Sequence, residues 1–198
     1  MTETEVRHED WSDRDLSGQV FERVAFVDVD LMEVEQSGAS FIECTFSRCR
    51  FNASRHTSAA FTSCTFTHCT FWDTWFTGCK LVGSVFDRCE FSLLRVEGGD
   101  WSFVSLVGAR LDKAAFIDVR MREAELAGAR LVGATLHRVD LTAASLRQTD
   151  LSEADLRGSD LSSVDPLSNP LRGATIDVDQ AITLAAALGV RVLADVQP

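Results

Sequence analysis

Nothing in this sequence of 198 residues approaches the run of roughly 20 apolar residues that crosses a bilayer. Its first residues, Met1-Thr2-Glu3-Thr4-Glu5, hold neither the basic nor the apolar segment of a secretory signal. These absences predict a cytosolic protein without membrane contact. Cations are scarce as well: 19 Lys and Arg stand against 30 Asp and Glu, a formal net charge of −11. Duplex DNA is bound by chains that neutralise its phosphates, so direct nucleic-acid binding is not expected. A basic partner surface is the natural counterpart of such a charge. There is no CxxC pair, no glycine-rich phosphate loop, and no histidine beside a Ser or Cys in a nucleophile motif. No catalytic, metal-ligating or cofactor-binding residue is assigned, and the chain does not read as an enzyme.

What the sequence has instead is a period of five. Every fifth residue from Trp11 to Ile176 gives 34 positions, of which 31 are apolar; only Gln36, His56 and Pro166 are not. Five matches neither the 3.6-residue helix nor the two-residue strand. Two residues before each large position runs a second column, mostly small: Cys44, Cys49, Ala59, Cys64, Cys69, Cys79, Ser84, Cys89, then mainly Ala from Ala109 to Ala154. One large and one small inward residue per five fills a narrow tube. All six cysteines fall in the small column, so they are expected as interior thiols packing like small hydrophobes. A filled tube also leaves no pocket.

Stretches such as Ala129-Arg130-Leu131-Val132-Gly133 and Ala154-Asp155-Leu156-Arg157-Gly158 resemble the pentapeptide-repeat family. The resemblance implies an all-β solenoid, a right-handed quadrilateral β-helix with four repeats per coil. About eight coils at strand spacing give a rod of roughly 40 Å. Residues 1–176 would form it, with 1–10 as an acidic lead-in, and 177–198 would add a helix and a strand as cap and dimer surface. Asp177-Val178-Asp179-Gln180 reads as a capping box, Ala181 to Leu188 as helix, Gly189 as its stop, and Val190 to Leu193 as a short strand. Stacking every fourth repeat predicts a phenylalanine ladder in the first half (Phe26, Phe46, Phe66, Phe86) and a leucine ladder in the second (Leu106, Leu126, Leu146). Gln36 and His56 share one column and mark an expected irregularity or bulge. Leu93 to Gly99 breaks the small-residue rule and marks an expected kink.

Within that family the chain looks most like its mycobacterial and Qnr-type fluoroquinolone-resistance members. The resemblance rests on the uninterrupted phase, on Leu81-Val82-Gly83-Ser84-Val85-Phe86, and on Ile176-Asp177-Val178-Asp179-Gln180-Ala181 with the helix and Gly189 after it. It implies a homodimer that binds and inhibits DNA gyrase by imitating DNA. Two rods joined at their C-terminal caps would span on the order of 25–30 base pairs. The dimer contact is expected at Ile182, Ala185, Leu188, Val190 and Val192. Partner-binding residues are expected in the acidic segment from 140 to 179, at Asp140, Asp150, Asp155, Asp160 and Asp165. Trp72 and Trp75, at outward positions, are added as aromatic anchors. The other reading is a scaffolding repeat protein with a different basic partner; acidic side chains spread evenly over all faces would favour it.

Overall fold

A computed structural model describes residues 4–193. Glu3 of the acidic lead-in and residues 194–198 of the terminal unit lie outside the described residues. The chain winds as an all-β parallel solenoid of about seven turns, closed by one short helix. The count is below the eight implied by spacing; Pro166, which has no amide to donate to a ladder, falls in the last turn.

Four stacks of short strands make the four faces. One runs Thr4–Arg7, Val24–Val27, Thr45–Ser47, Thr65–Thr67 and Val85–Asp87. A second holds Val20–Glu22, Ser40–Ile42 and Ala60–Thr62, and a third Thr70–Trp72 and Glu90–Ser92. The fourth runs from Glu35–Ser37 to Thr135–His137. Register is the repeat itself: Phe26 pairs with Phe46 and Phe46 with Phe66, each one coil of four repeats on. Nearly every pentapeptide turns its corner through a left-handed residue two places after the inward one, as at Arg23, Asp28 and Glu33; Asp13, Ser163 and Ser168 do not.

The inward rings stack at the strand spacing. Centroids lie 4.7 Å apart for Phe26–Phe46, 4.8 Å for Phe46–Phe66 and 4.6 Å for Phe66–Phe86. The small column does more than fill space. Cys69 Sγ donates to Phe46 O (3.4 Å), Ser84 Oγ to Phe61 O (2.6 Å) and Thr149 Oγ1 to Leu126 O (2.8 Å), each reaching back into the coil below. Buried backbone carbonyls need partners, and a short S–H or O–H donor satisfies these.

Gln36 and His56 are corrected from bulge to interior. Both are buried and in register, with Gln36 paired to His56 and His56 to Phe76. Gln36 Oε1 accepts from the Ala39 amide (3.1 Å), which turns its NH2 toward His56 Nδ1 (2.7 Å). His56 Nε2 then faces Ser54 Oγ (2.9 Å), which donates to Phe51 O. The relay is complete only for a neutral imidazole with its proton on Nε2.

The kink expected at residues 93–99 is instead a seam on the neighbouring face. Arg95 keeps its place between Trp75 and Ala115. Gly99 is required there: at φ +93° its Cα lies so close to the coil below that a Cβ would meet Cys79 O at 2.1 Å. Between residues 88–93 and 107–112, however, the ladder is missing. Amides 48 and 68 donate to carbonyls 67 and 87, and amides 108, 111 and 113 to carbonyls 127, 130 and 132. Among the described residues no backbone hydrogen bond joins 88–93 to 107–112. The cause lies in the bore: Trp101 enters at the level above Phe86, fully buried, with the two rings parallel but 6.1 Å apart. Its column holds Leu81 in the coil below and Met121 in the coil above. An indole between them overfills the tube and lifts one face.

The seam corrects two further expectations. A cavity of about 410 Å³ lies among Trp72, Cys89, Glu90, Phe91, Arg110 and Asp112, so the rod is not without a pocket. Five thiols are buried, but Cys89 is only partly so. Burial holds the Cys79 thiol up at about 11, whereas a hydrogen bond from Cys64 lowers Cys44 to about 7 and hydrogen bonds from Cys69 lower both Cys49 and Cys89, so exposure and not acidity sets Cys89 apart. Iodoacetamide on the native protein should therefore modify Cys89 well ahead of the other five, read by peptide mass mapping. Equal labelling of several cysteines would contradict this packing.

At the far end, Asn169 and helix α1 (Val178–Ala187) plug the tube. Asn169 Nδ2 donates to Thr149 O at 3.0 Å. Gln180 Nε2 donates to Leu156 O (2.6 Å) and Ser159 O (2.7 Å), and its Oε1 accepts from the Asp177 amide. Asp177 accepts in turn from the Gln180 amide, completing the capping box. Residues 190–193 form no strand, contrary to expectation: Val190 N closes the helix on Ala185 O, and among the described residues the segment beyond it has no neighbouring strand to pair with.

Candidate partner-binding surfaces

The five aspartates singled out by sequence share a local role. Each occupies the outward position just before an inward one and turns back to accept the amide two residues on: Asp140 from Thr142 (3.1 Å), Asp150 from Ser152 (3.0 Å), Asp160 from Ser162 (2.9 Å) and Asp165 from Leu167 (3.0 Å). Asp155 reaches the Arg157 amide less closely, at 3.4 Å. These are Asx turns, which explains why the repeat favours Asp there.

They do not form one stripe. Four repeats make a coil, so only Asp140 and Asp160 share a face; Asp150, Asp155 and Asp165 lie on the other three. Asp155 is also engaged by basic side chains. Its carboxylate meets Arg157 Nη2 at 2.7 Å and His137 Nε2 at 2.8 Å, and Arg157 first of all holds its pKa well below the usual range. The Ser152 hydroxyl and amide lower Asp150. Partial burial raises Asp160, but the Ser162 amide and hydroxyl outweigh it and the net shift is downward.

One face gathers more acid than the sequence columns revealed. Thr142 Oγ1 lies within hydrogen-bond reach of both Asp140 Oδ1 (2.6 Å) and Asp160 Oδ2 (3.0 Å), tying the two carboxylates together. Asp160, Asp177 and Asp179 then border a single shallow cleft with Gln180 and Thr183. Among the described residues, only Asp140 of these four acids has a cation within 4 Å, Arg122 at 3.8 Å. Sequence counted Asp177 and Asp179 in the acidic segment and the helix cap but not among the contact residues; the position of that helix beside Asp160 makes them part of a surface. The N-terminal acids are partly paired: Asp28 bonds Arg48 and Asp30 bonds Arg50, so arginines from the stretch between Glu43 and Asp73, which holds no acid, neutralise part of the charge.

The two tryptophans separate. Trp72 is 51% exposed at the edge of the seam. Trp75 is half-buried, clamped between the guanidinium groups of Arg55 (4.8 Å) and Arg95 (4.4 Å), with Nε1 on Asp73 Oδ1 at 3.1 Å. It stiffens the rod rather than offering a free anchor.

Beyond the cap, Ile182, Leu188, Val190 and Val192 are exposed and Ala185 is half-buried, while Leu184 packs on the core. Among the described residues no cluster of three His, Cys, Asp or Glu is arranged to hold a metal ion, and no helix is long and apolar enough to cross a membrane.

Residues 102–138 and 134–165 match the family model for pentapeptide repeats. Residues 3–91 match that for the luminal domain of SV2A/B/C. No curated protein matches the chain. Among solved structures, a trypsin-treated form of QnrB1, a plasmid-mediated fluoroquinolone resistance protein, superposes with a TM-score of 0.75 at 21% identity, covering 96% of this chain and 98% of that one. A second trypsin-treated form gives 0.65 at 20% identity, covering 96% and 99%. At that identity the likeness establishes the winding of the rod over its whole length.

Proposed function

We propose that this pentapeptide-repeat protein binds DNA gyrase as a mimic of duplex DNA, inhibits it, and protects it from fluoroquinolones. The observation that carries the reading is the acidic run Asp140, Asp160, Asp177 and Asp179 on one face beside helix α1, almost free of cations. A rod with such a face presents to a basic groove what a phosphate backbone presents. The likeness in fold to QnrB1, a fluoroquinolone resistance protein, and the resemblance of Ile176 to Ala181 to the mycobacterial resistance members favour gyrase as the owner of that groove. A cytosolic site of action goes with it.

Two copies would meet through the exposed apolar residues Ile182, Leu188, Val190 and Val192, with Ala185 beneath them. That arrangement doubles the acidic run at the centre of a longer rod. Deleting residues 177–198 should give monomer or aggregate, because it removes the Gln180 plug as well as the contact. A stable dimer after the deletion, measured by sedimentation, would count against this interface.

The scaffolding alternative keeps one observation in its favour: Asp150, Asp155 and Asp165 lie on three other faces. A supercoiling assay with purified gyrase separates the two. Changing Asp140, Asp160 and Asp179 together to Asn removes charge while Asn Oδ1 at 140 and 160 still accepts the turn amides. If three exposed charges contribute about 0.5 kcal/mol each, the inhibitory concentration rises about tenfold. Inhibition by the unaltered protein should also weaken as salt rises. A folded triple variant of undiminished potency rules this face out as the contact.

A further inference from the structure

The open seam is a built feature with unused bonding groups. On its lower lip the amides of Arg88, Phe91 and Leu93 and the carbonyl of Cys89 have no backbone partner among the described residues; on its upper lip the carbonyls of Val107, Arg110 and Asp112 and the amide of Arg110 have none. Their spacing is that of a β-ladder, because in the flanking coils the equivalent groups make one. Between the lips lie the cavity edged by Trp72 and Phe91 and, adjoining it, a smaller one of about 160 Å³ that also borders Cys89 and Phe91 and extends to Val107 and Gly108. Glu90 and Arg110, which a closed seam would stack one above the other as Thr70 and Glu90 are, form no ion pair with each other.

We propose that this seam is a docking slot for an extended peptide strand from a partner protein. The chemistry selects that occupant. Two rows of alternating backbone donors and acceptors are matched by another extended backbone, which is how sheet edges capture peptides. The lip from Arg88 to Leu93, at about 3.3 Å per residue, calls for a strand of roughly four to six residues. Side chains facing the bore meet Phe91 and Cys89 and must be apolar, so the strand alternates, while the exposed Trp72 flanks the slot from outside. A cation toward Glu90 and an anion toward Arg110 complete it. The slot lies on the face opposite Asp140 and Asp160, half a coil away in phase, and is independent of the gyrase reading.

The test uses the full-length protein and a displayed random heptapeptide library, with Cys89 alkylation as the reporter of occupancy. Alternating apolar peptides should enrich. A synthetic copy of an enriched peptide, at about ten times its Kd, should slow iodoacetamide modification of Cys89 about tenfold. Methylating one central amide of that peptide should abolish the protection, since a backbone donor is lost. Trp72→Ala, an exposed change that leaves the core intact, should weaken binding about tenfold. The proposal is overturned if no peptide enriches, if enriched peptides leave Cys89 alkylation unchanged, or if the methylated peptide protects equally well. Alkylation that slows with rising protein concentration alone would assign the slot to a second copy of this chain, and that also overturns it.

Discussion

Between pH 7 and pH 4.5 the folded chain should lose about 3 kcal/mol of stability through His56 alone. Burial without a compensating acid lowers this imidazole to about 3. Well above pH 6.5 both folded and unfolded chains carry it neutral, and it has no effect. As pH falls below 6.5 the unfolded chain takes up a proton that the folded chain refuses. Stability then drops by about 1.4 kcal/mol per pH unit until the pH nears the folded value. The structural reason is the relay: Nδ1 receives the Gln36 NH2, so a second ring proton has no acceptor. Exposed aspartates whose carboxyls are lowered by turn amides lose stability in the same direction. The comparison that isolates His56 is His56→Phe, a ring that can stack on Phe76 as His56 does at 5.0 Å. Denaturant midpoints of the two proteins across this range should diverge by about 3 kcal/mol. Parallel curves would mean that His56 accepts a proton in the folded rod.

The second large effect belongs to the aromatic bore. Phe66→Ala should cost about 3–5 kcal/mol in urea denaturation. The ring is wholly buried, stacked on Phe46 at 4.8 Å and Phe86 at 4.6 Å, and set edge-on to Phe51 and Phe71. Its removal takes both its own buried surface and its ring contacts with five neighbours, these four and Phe61, tilted at 5.9 Å. The backbone ladder on either side pins the coil height, so the void cannot close by collapse. A loss below about 1 kcal/mol would show that the coils slide to fill it.

The fold was legible because a single number, five, constrains it: the phase and the inward positions follow from the sequence alone, while the four-repeat coil and its stacked columns came with the family resemblance and the capping box from its own four residues. Two kinds of feature were not. The cysteine and serine donors that reach back into the coil below depend on a carbonyl geometry that no periodicity displays. The seam depends on the volume of one side chain: Trp101 satisfies the apolar pattern as well as leucine would, and only its bulk breaks the ladder. The division of the aspartates among faces was available in the numbering, since Asp140 and Asp160 differ by one full coil while Asp150 sits half a coil away. The convergence of Asp177 and Asp179 on Asp160 was not, because it follows from how the helix folds back over the last coil.

The coil-length register also governs how such a rod comes into being. His8 N bonds Val27 O in the next coil, and Ser40 N bonds Gln19 O in the preceding one. A typical ladder separation of about 20 in a chain of 198 is a relative contact order of about 0.1, the range of helical bundles rather than of β-sandwiches. Each new coil closes one short loop onto a template already in place, so the loop-closure entropy is met in small equal steps. An all-β protein built this way should fold on the timescale of helical ones, and during synthesis each coil can wind as it emerges, with no need to wait for the C-terminus.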